Sequence, residues 1–67
     1  MKITYDSKYD VLYLKFAEGS PQVVTQRVND DVAVDFDEGG RIVGIEVLSA
    51  SNYLDLGSLL PVSVQSG

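Results

Sequence analysis

The sequence predicts an α+β domain: a twisted antiparallel sheet of four to five strands, joined by meander-like hairpins and followed by one short C-terminal helix. Three observations lead to this prediction. Apolar and polar residues alternate with a period of two in several short segments. Groups rich in Asp, Asn, Gly and Pro separate these segments. Beyond residue 48 the alternation stops, and capping residues precede apolar residues at helical spacing.

The first two segments predict a β-hairpin. In residues 2–5, Ile3 and Tyr5 alternate with polar neighbours, as in a half-buried strand. Residues 6–10 are rich in side chains that bond their own backbone, which is typical of a turn. Residues 11–16 carry apolar side chains on both faces, and this pattern indicates a central or covered strand.

The next three segments predict an edge strand and a second hairpin. Pro21 has no amide hydrogen for a ladder and therefore breaks the pattern. Residues 22–28 alternate poorly and carry polar side chains among their valines, which favours an edge strand. Residues 31–36 alternate strictly. The acidic, glycine-containing residues 37–40 are the strongest turn signal, and residues 41–48 follow them as a fifth strand.

The C-terminal segment predicts a short helix and then a loose tail. Three residues are candidate helix caps: Ser49, Ser51 and Asn52. The helix is expected to reach about Leu56, where Gly57 is placed to end it in a left-handed conformation. From about residue 61 the chain lacks charge and periodicity, which predicts a loose tail. The pattern leaves open whether residues 59–62 pack on the sheet.

The five strands together predict one apolar face that needs a cover. A single short helix cannot shield a face of four to five strands, so we expect the sheet to curl on itself or a second copy to help cover it. The residues predicted to point inward are Ile3, Tyr5, Leu12, Leu14, Phe16, Val32, Val34, Phe36, Val43, Ile45 and Val47.

Length and composition bound the possible functions. The 67 residues suffice for one domain, residues 1–67, and at this size a stable core usually needs a disulfide, a metal or a partner. The chain has no cysteine and no histidine, so disulfides and the common zinc, iron and copper ligand sets are excluded. Association is the remaining way to stabilise it.

Net charge and hydropathy limit the classes of partner that the chain can bind. Ten acidic and five scattered basic residues give a net charge of −5, which argues against direct nucleic-acid binding and fits a basic protein partner. The first ten residues contain no apolar run, and no stretch approaches the roughly 20 apolar residues that span a bilayer. We therefore expect a cytoplasmic protein with no membrane partner.

Most of the chain resembles a known family. The opening MKITYDSKYDVLYLKF and the middle VNDDVAVDFDEGGRIVGIEVLSAS are similar to small bacterial domains called YuzE-like, a family of unknown function. The most distinctive part is residues 35–48, an acidic glycine turn before a Val-Gly-Ile-Glu strand. The resemblance covers about residues 1–51 and implies an α+β domain without an assigned activity. By analogy with the family, it also implies an antitoxin-like partner of a small basic toxin.

The acidic residues are the first candidates for chemistry. The spacing around Asp35, Asp37 and Glu38 is similar to part of a calcium loop, but no later acidic ligand closes it, and a hairpin turn explains the same residues. Asp35 and Glu46 are predicted on adjacent strands and could form a carboxylate pair, but 67 residues hardly enclose a deep pocket. We expect no catalytic, metal or cofactor site, and therefore no enzyme. Asp35, Asp37 and Glu46 are the candidates for an acidic site in the alternative interpretation.

An apolar patch on the second face of the sheet is the candidate interface. Tyr13 lies there on a central strand and is a plausible anchor, since aromatic residues dominate binding energy at interfaces. Gly44 marks a bulge or a site where another group packs closely. The predicted interface residues are Val11, Tyr13, Ile42, Gly44, Leu48 and Tyr53.

The leading hypothesis is a small protein-binding module that acts by stoichiometric contact, in its specific form an antitoxin-like partner of a basic toxin. The second is a self-associating structural domain, with a homodimer favoured. The third is an enzyme that depends on a divalent metal or on carboxylates. The partner, the strand order and the oligomeric number are beyond the sequence.

Overall fold

A computed structural model describes residues 1–19, 22–59 and 63–65 of the chain. Its strands are β1 (Lys2–Asp6), β2 (Val11–Lys15), β3 (Val24–Arg27), β4 (Val32–Phe36), β5 (Ile42–Leu48) and β6 (Ser63–Gln65). They form one sheet in the order β3-β4-β5-β2-β1-β6. Strands β1 to β5 pair antiparallel, and β6 runs parallel to β1.

The five predicted strands are confirmed, with ends that differ by one or two residues. Strand β3 lies at the edge of the sheet, and β2 lies between β1 and β5, as their side-chain patterns predicted. The predicted turn between β4 and β5 is also present. There the Asp37 carboxylate accepts hydrogen bonds from the backbone amides of Gly39 and Arg41, both at 2.9 Å, while Gly40 adopts a positive φ of 83°.

The prediction of an α+β fold with a C-terminal helix is wrong. The described residues form two 3-10 turns, Ala50–Asn52 and Leu56–Leu59, and no α-helix, so the domain is mostly β. Ser49 adopts a left-handed conformation and makes no side-chain capping bond. The segment is rich in Ser, Asn, Asp and Gly. The polar side chains form hydrogen bonds with nearby backbone groups, and Gly makes the backbone more flexible, so both disfavour a longer helix.

The C-terminal segment is partly described. The sequence predicts a loose tail from about residue 61, and within that tail Ser63–Gln65 pair with β1 as β6. Thr4 faces Ser63 and Asp6 faces Gln65 in this parallel ladder. The sequence left open whether residues 59–62 pack on the sheet. Residues 60–62 lie outside the described part of the chain.

The register divides the side chains of β1 to β5 between two faces. We call one the apolar face; the residues that register and alternation place on it are Ile3, Tyr5, Leu12, Leu14, Phe16, Val24, Gln26, Val32, Val34, Phe36, Ile42, Ile45 and Val47. We call the other the polar face; it includes Lys2, Thr4, Tyr13, Lys15, Thr25, Arg27, Ala33, Asp35, Gly44 and Glu46. Charged side chains of these strands therefore lie on one side of the sheet.

A β-bulge in β5 changes the predicted faces of two residues. Asp35 pairs with Gly44, but the next residue of β4, Phe36, pairs with Ile42, so Val43 is the extra residue. Val43 is buried and lines a cavity with Tyr13 and Lys15 of the polar face. The prediction that Val43 points inward beside Ile45 is therefore wrong, because the bulge brings Ile42 to the apolar face instead.

The two 3-10 turns cover only one half of the apolar face. The core cluster consists of Leu12, Val47 and Ala50, which are 1%, 8% and 0% exposed. Partly buried residues of the strands and of the second 3-10 turn pack against it: Ile3, Tyr5, Val32, Ile45 and Leu56. We call the part around Leu12 and Val47 the covered half.

Candidate functional site

The candidate site is the open half of the apolar face. It consists of two rows of side chains that cross the strands. The outer row is Val24, Phe36, Ile42 and Phe16, and the inner row is Gln26, Val34, Ile45, Leu14 and Ile3. Among the described residues, the two 3-10 turns pack on the other half of the face, so the outer row has no cover from them.

Exposure rises across the open half. Ile45, next to the core, is half-buried, whereas Phe16 is 42%, Ile42 49% and Val24 69% exposed. Val28, which follows β3, is 64% exposed. An antiparallel sheet usually turns its apolar face to the core and its polar face to water. Here part of the apolar face, including Phe16, Ile42 and Val24, is exposed to water.

The surface of the open half is almost free of charge. None of the residues in its two rows carries a formal charge. A shallow groove of about 280 Å³ lies between β3 and β4 and is lined by Gln26, Arg27, Val28, Val34 and Phe36. The Arg27 guanidinium donates a hydrogen bond to the carbonyl of Asp30 at 3.1 Å. Apart from Gln26 and Arg27, the lining of the groove is apolar.

On the polar face, Tyr13 lies across Gly44. A Cβ atom at position 44 would overlap the Tyr13 hydroxyl oxygen and would lie 2.6 Å from its Cζ, so only glycine fits beneath the ring. The Tyr13 hydroxyl donates a hydrogen bond to Oδ2 of Asp35 at 2.9 Å, and Thr25 donates to Oδ1 of the same carboxylate at 2.5 Å. Burial, followed by the bond to Asp35, raises the pKa of Tyr13.

A cavity of about 250 Å³ borders this cluster. Its lining residues are Tyr13, Lys15, Ala17, Gly19, Val23, Asp35 and Val43. Small-molecule pockets generally exceed about 300 Å³ and enclose most of the ligand. This cavity is smaller and open to solvent, and its central carboxylate is already bonded to Tyr13 and Thr25. The two hydrogen bonds give the Asp35 carboxylate a structural role in this cluster.

The acidic candidates do not gather into one site. Asp35 holds Tyr13 and Thr25, and Asp37 holds the turn between β4 and β5. Glu46 lies opposite Ala33 and Tyr13, so Asp35 and Glu46 are diagonal neighbours on the polar face rather than a directly opposed pair. In residues 1–19, 22–59 and 63–65, no three acidic side chains come together in a way that could hold a metal ion.

The predicted interface residues fall into four places. Val11 and Leu48 are paired in register at one end of the polar face, and Tyr13 and Gly44 contact each other farther along it. Ile42 lies on the opposite, apolar face because of the bulge. Tyr53, 51% exposed, follows the first 3-10 turn and donates to the Asp31 carboxylate at 2.6 Å. The structure therefore does not join these six residues into one patch.

Sequence reasoning missed a polar cluster around Asp10. Its carboxylate accepts hydrogen bonds from the Tyr5 hydroxyl and the Ser51 hydroxyl, both at 2.7 Å, and from the Ser51 amide at 3.1 Å. Its backbone carbonyl accepts the Ala50 amide at 2.9 Å. The Ser51 and Tyr5 hydroxyls lower the pKa of Asp10. Asp10 adopts a positive φ of 57°, which Asp tolerates better than most residues. In the sequence, the available signal was an Asp at the end of the polar turn of residues 6–10.

None of the helical turns in the described part of the chain has the length and apolar character needed to cross a membrane. No solved structure matches the chain.

Comparisons with known proteins show the family. The chain is 43% identical over 56 residues to the uncharacterized protein MJ0789 of Methanocaldococcus jannaschii. The match covers 84% of this chain but 47% of that relative, so the chain spans about half the length of the curated relative it matches. The profile of a family described as protein of unknown function, DUF2283, matches residues 2–51. The expected membership in a small domain family of unknown function is confirmed, while the narrower name YuzE-like stays a prediction. The chain thus belongs to the DUF2283 family of proteins of unknown function.

Proposed function

We propose that the domain is a protein-binding module whose contact surface is the open half of the apolar face. The single observation that carries the proposal is the exposure of Phe16, Ile42 and Val24 on the same face that forms the core. Burying such side chains contributes roughly 25 cal/mol for each Å² removed from water, so a partner gains by covering them. The domain acts by contact rather than by catalysis.

The geometry of the open half favours a flat partner surface. Strands of neighbouring sheets pack about 10 Å apart through interdigitating side chains. The groove between β3 and β4 offers a place for one apolar side chain of the partner near Val34 and Phe36. The absence of charge in the two rows means that shape and apolar area, rather than ion pairs, select the partner.

Capture from the native host tests this proposal. The tagged chain is cross-linked in living cells and purified, in parallel with a Phe16→Ser, Ile42→Ser double variant and a Lys2→Ser, Lys15→Ser double variant. The lysine pair is matched, because Lys2 and Lys15 are neighbours on the opposite face. We expect the lysine variant to retain the wild-type cross-linked partner and the apolar-face variant to lose it. Equal recovery with all three chains, or no cross-linked partner with any, contradicts the proposal.

An antitoxin-like role is a second candidate, favoured by the net charge of −5. A basic toxin would contact the polar face, where Glu46 and Asp35 lie. Co-expression with the product of the adjacent gene distinguishes the two candidates. In the antitoxin version, Glu46→Gln weakens the complex and the Phe16, Ile42 variant does not. If this chain is purified without the product of the adjacent gene, the antitoxin-like role is ruled out.

The enzyme alternative predicts that a divalent metal stabilises the fold by linkage. We propose instead a cytoplasmic domain without catalytic activity. A rise of the melting temperature in millimolar calcium or magnesium, absent in an Asp35→Asn, Glu46→Gln variant, would count against this proposal. An unchanged melting temperature removes the metal-dependent version.

A further inference from the structure

We infer that the occupant of the open half is a second copy of this chain, stacked face to face as a two-sheet sandwich. The inference rests on the proposed function, because it names the partner of the same surface. It depends on three features of the described residues: the position of the cover, the distribution of charge and the area of the open rows.

The position of the cover allows two open halves to meet. The 3-10 turns occupy the end of the apolar face around Leu12 and Val47, and the outer row lies at the other end. A two-fold axis in the plane between the sheets and perpendicular to the strands reverses the strand direction. The covered ends then lie at opposite ends of the dimer, and the open halves face each other. In such an isologous contact, both copies contribute the same two rows of side chains.

The distribution of charge favours a second copy over a basic partner at this surface. Two chains of net charge −5 repel each other when their carboxylates approach. Here the strand carboxylates Asp35 and Glu46 lie on the polar face, on the outside of the stacked pair. A basic partner would find no carboxylate in the two open rows to pair with its cations. An uncharged apolar sheet face complements this surface, and the chain itself supplies one.

The area predicts a weak, reversible dimer. Four strands at about 4.8 Å spacing are about 19 Å wide, and two rows along the strands extend about 14 Å, which gives about 270 Å² of flat surface on each copy. Stable specific interfaces bury about 800 Å² on each partner. The dimer is therefore expected to dissociate on dilution rather than to be permanent. Its dissociation should also lower the melting temperature of the protein at low concentration.

Sedimentation of the full chain from micromolar to millimolar concentration tests the inference. The variant Ile42→Glu places a charge in the outer row, and Tyr9→Glu is the matched control. Tyr9, 65% exposed, lies in the turn between β1 and β2, away from the open half. We expect wild type and Tyr9→Glu to approach twice the monomer mass, and Ile42→Glu to weaken dimerisation at least tenfold. A wild-type monomer at all concentrations, or equal dimerisation of the three chains, overturns the inference.

Cross-linking identifies the face even if the charged variant folds poorly. The chain has no cysteine, so Ile42→Cys and Tyr9→Cys each carry one thiol. A short bismaleimide should join Ile42→Cys into dimers and leave Tyr9→Cys largely monomeric. Equal cross-linking at both positions overturns the face-to-face arrangement. A monomeric chain that captures a different protein through Phe16 and Ile42 in the native host removes this inference but keeps the proposed function.

Discussion

Three of the four tyrosines donate their hydroxyl group to an aspartate carboxylate: Tyr5 to Asp10, Tyr13 to Asp35 and Tyr53 to Asp31. Each tyrosine pKa is raised, with the aspartate bond as the largest cause for Tyr5 and Tyr53 and burial for Tyr13. These bonds join segments that are five or 22 residues apart in sequence. In a chain without disulfides, they fix turns to strands and link β2 to β4 across β5.

The contact of Tyr13 with Gly44 yields a prediction for stability. Gly44→Ala should lower the free energy of unfolding by about 1–3 kcal/mol, because the new methyl group displaces the Tyr13 ring from its position. Urea denaturation followed by circular dichroism measures this loss. In a Tyr13→Ala background the same change should cost less, leaving mainly the contact with the Leu14 carbonyl at 3.2 Å. An equal cost in both backgrounds would show that Tyr13 is not the cause.

The Asp10 cluster predicts a specific acid sensitivity. Because bonds from Ser51 and Tyr5 lower its pKa from 3.8, the ionised Asp10 stabilises the fold fully above pH 3.8. This contribution is lost as the pH falls below 3.8 through the lowered pKa of the folded state. Asp10→Asn should be less stable than wild type at neutral pH but should lose less further stability in this acidic window.

Denaturation at a series of pH values from neutral to strongly acidic tests the role of Asp10. Glu38→Gln is the control, since Glu38 is an exposed carboxylate in the turn between β4 and β5. We expect Glu38→Gln to follow the wild-type profile. If Asp10→Asn shows the same acid-induced loss as wild type, the Asp10 cluster does not contribute to the pH dependence.

At the scale of the elements, β3 differs from the other strands of the antiparallel sheet. All four of its residues are exposed, and one side of its backbone has no described partner strand. We predict that β3 amides exchange with deuterium faster than those of β2 and β5, which are paired on both sides. Hydrogen exchange followed by mass spectrometry or NMR measures this order. Equal protection of β3 and β2 would contradict it and would indicate that another strand covers the edge.

The strands could be predicted because their signal is local. Alternation within residues 11–16 and 31–36, together with the turn at 37–40, depends only on neighbours in sequence, and these elements are present. The bulge at Val43 depends on how β5 meets β4, and it exchanged the faces of Ile42 and Val43. The prediction of a C-terminal helix was wrong because capping residues favour a local turn as readily as the start of a helix.

The candidate site could be predicted only in part. That the cover was too small for the apolar face followed from the width of the predicted sheet and the shortness of the C-terminal segment, and the described residues leave half of the face open. Tyr13 and Gly44 were identified separately, but their contact requires the β2 and β5 pairing, which joins distant segments. The bonds between Asp10 and Ser51 span 41 residues and have no counterpart in the local pattern.

At the scale of the whole molecule, stability depends on very few buried side chains. Leu12 is the largest side chain that is fully buried in the described part of the chain, at 1% exposure. A domain of this length has a total stability of about 3–10 kcal/mol. Leu12→Ala, which typically costs about 2–5 kcal/mol, should therefore remove a large share of this stability and lower the melting temperature markedly.

Thermal denaturation at low micromolar concentration tests this prediction. Val28→Ala, at a position that is 64% exposed, is the control and should change the stability by less than about 0.5 kcal/mol. Similar losses for the two variants would show that Leu12 does not hold the core together.

The adjacency of β2 and β5 also determines when the chain can fold. This ladder joins residues 11–15 to residues 44–48, whereas the β1–β2 and β4–β5 hairpins join near neighbours. An isolated hairpin is at best marginally stable in water, and non-local pairing slows folding. During synthesis, the β1–β2 hairpin therefore cannot be stabilised by β5 until Leu48 has left the ribosome. Until then the apolar side chains of β2 stay exposed and accessible to chaperones, and productive folding starts once β5 is available to pair with β2.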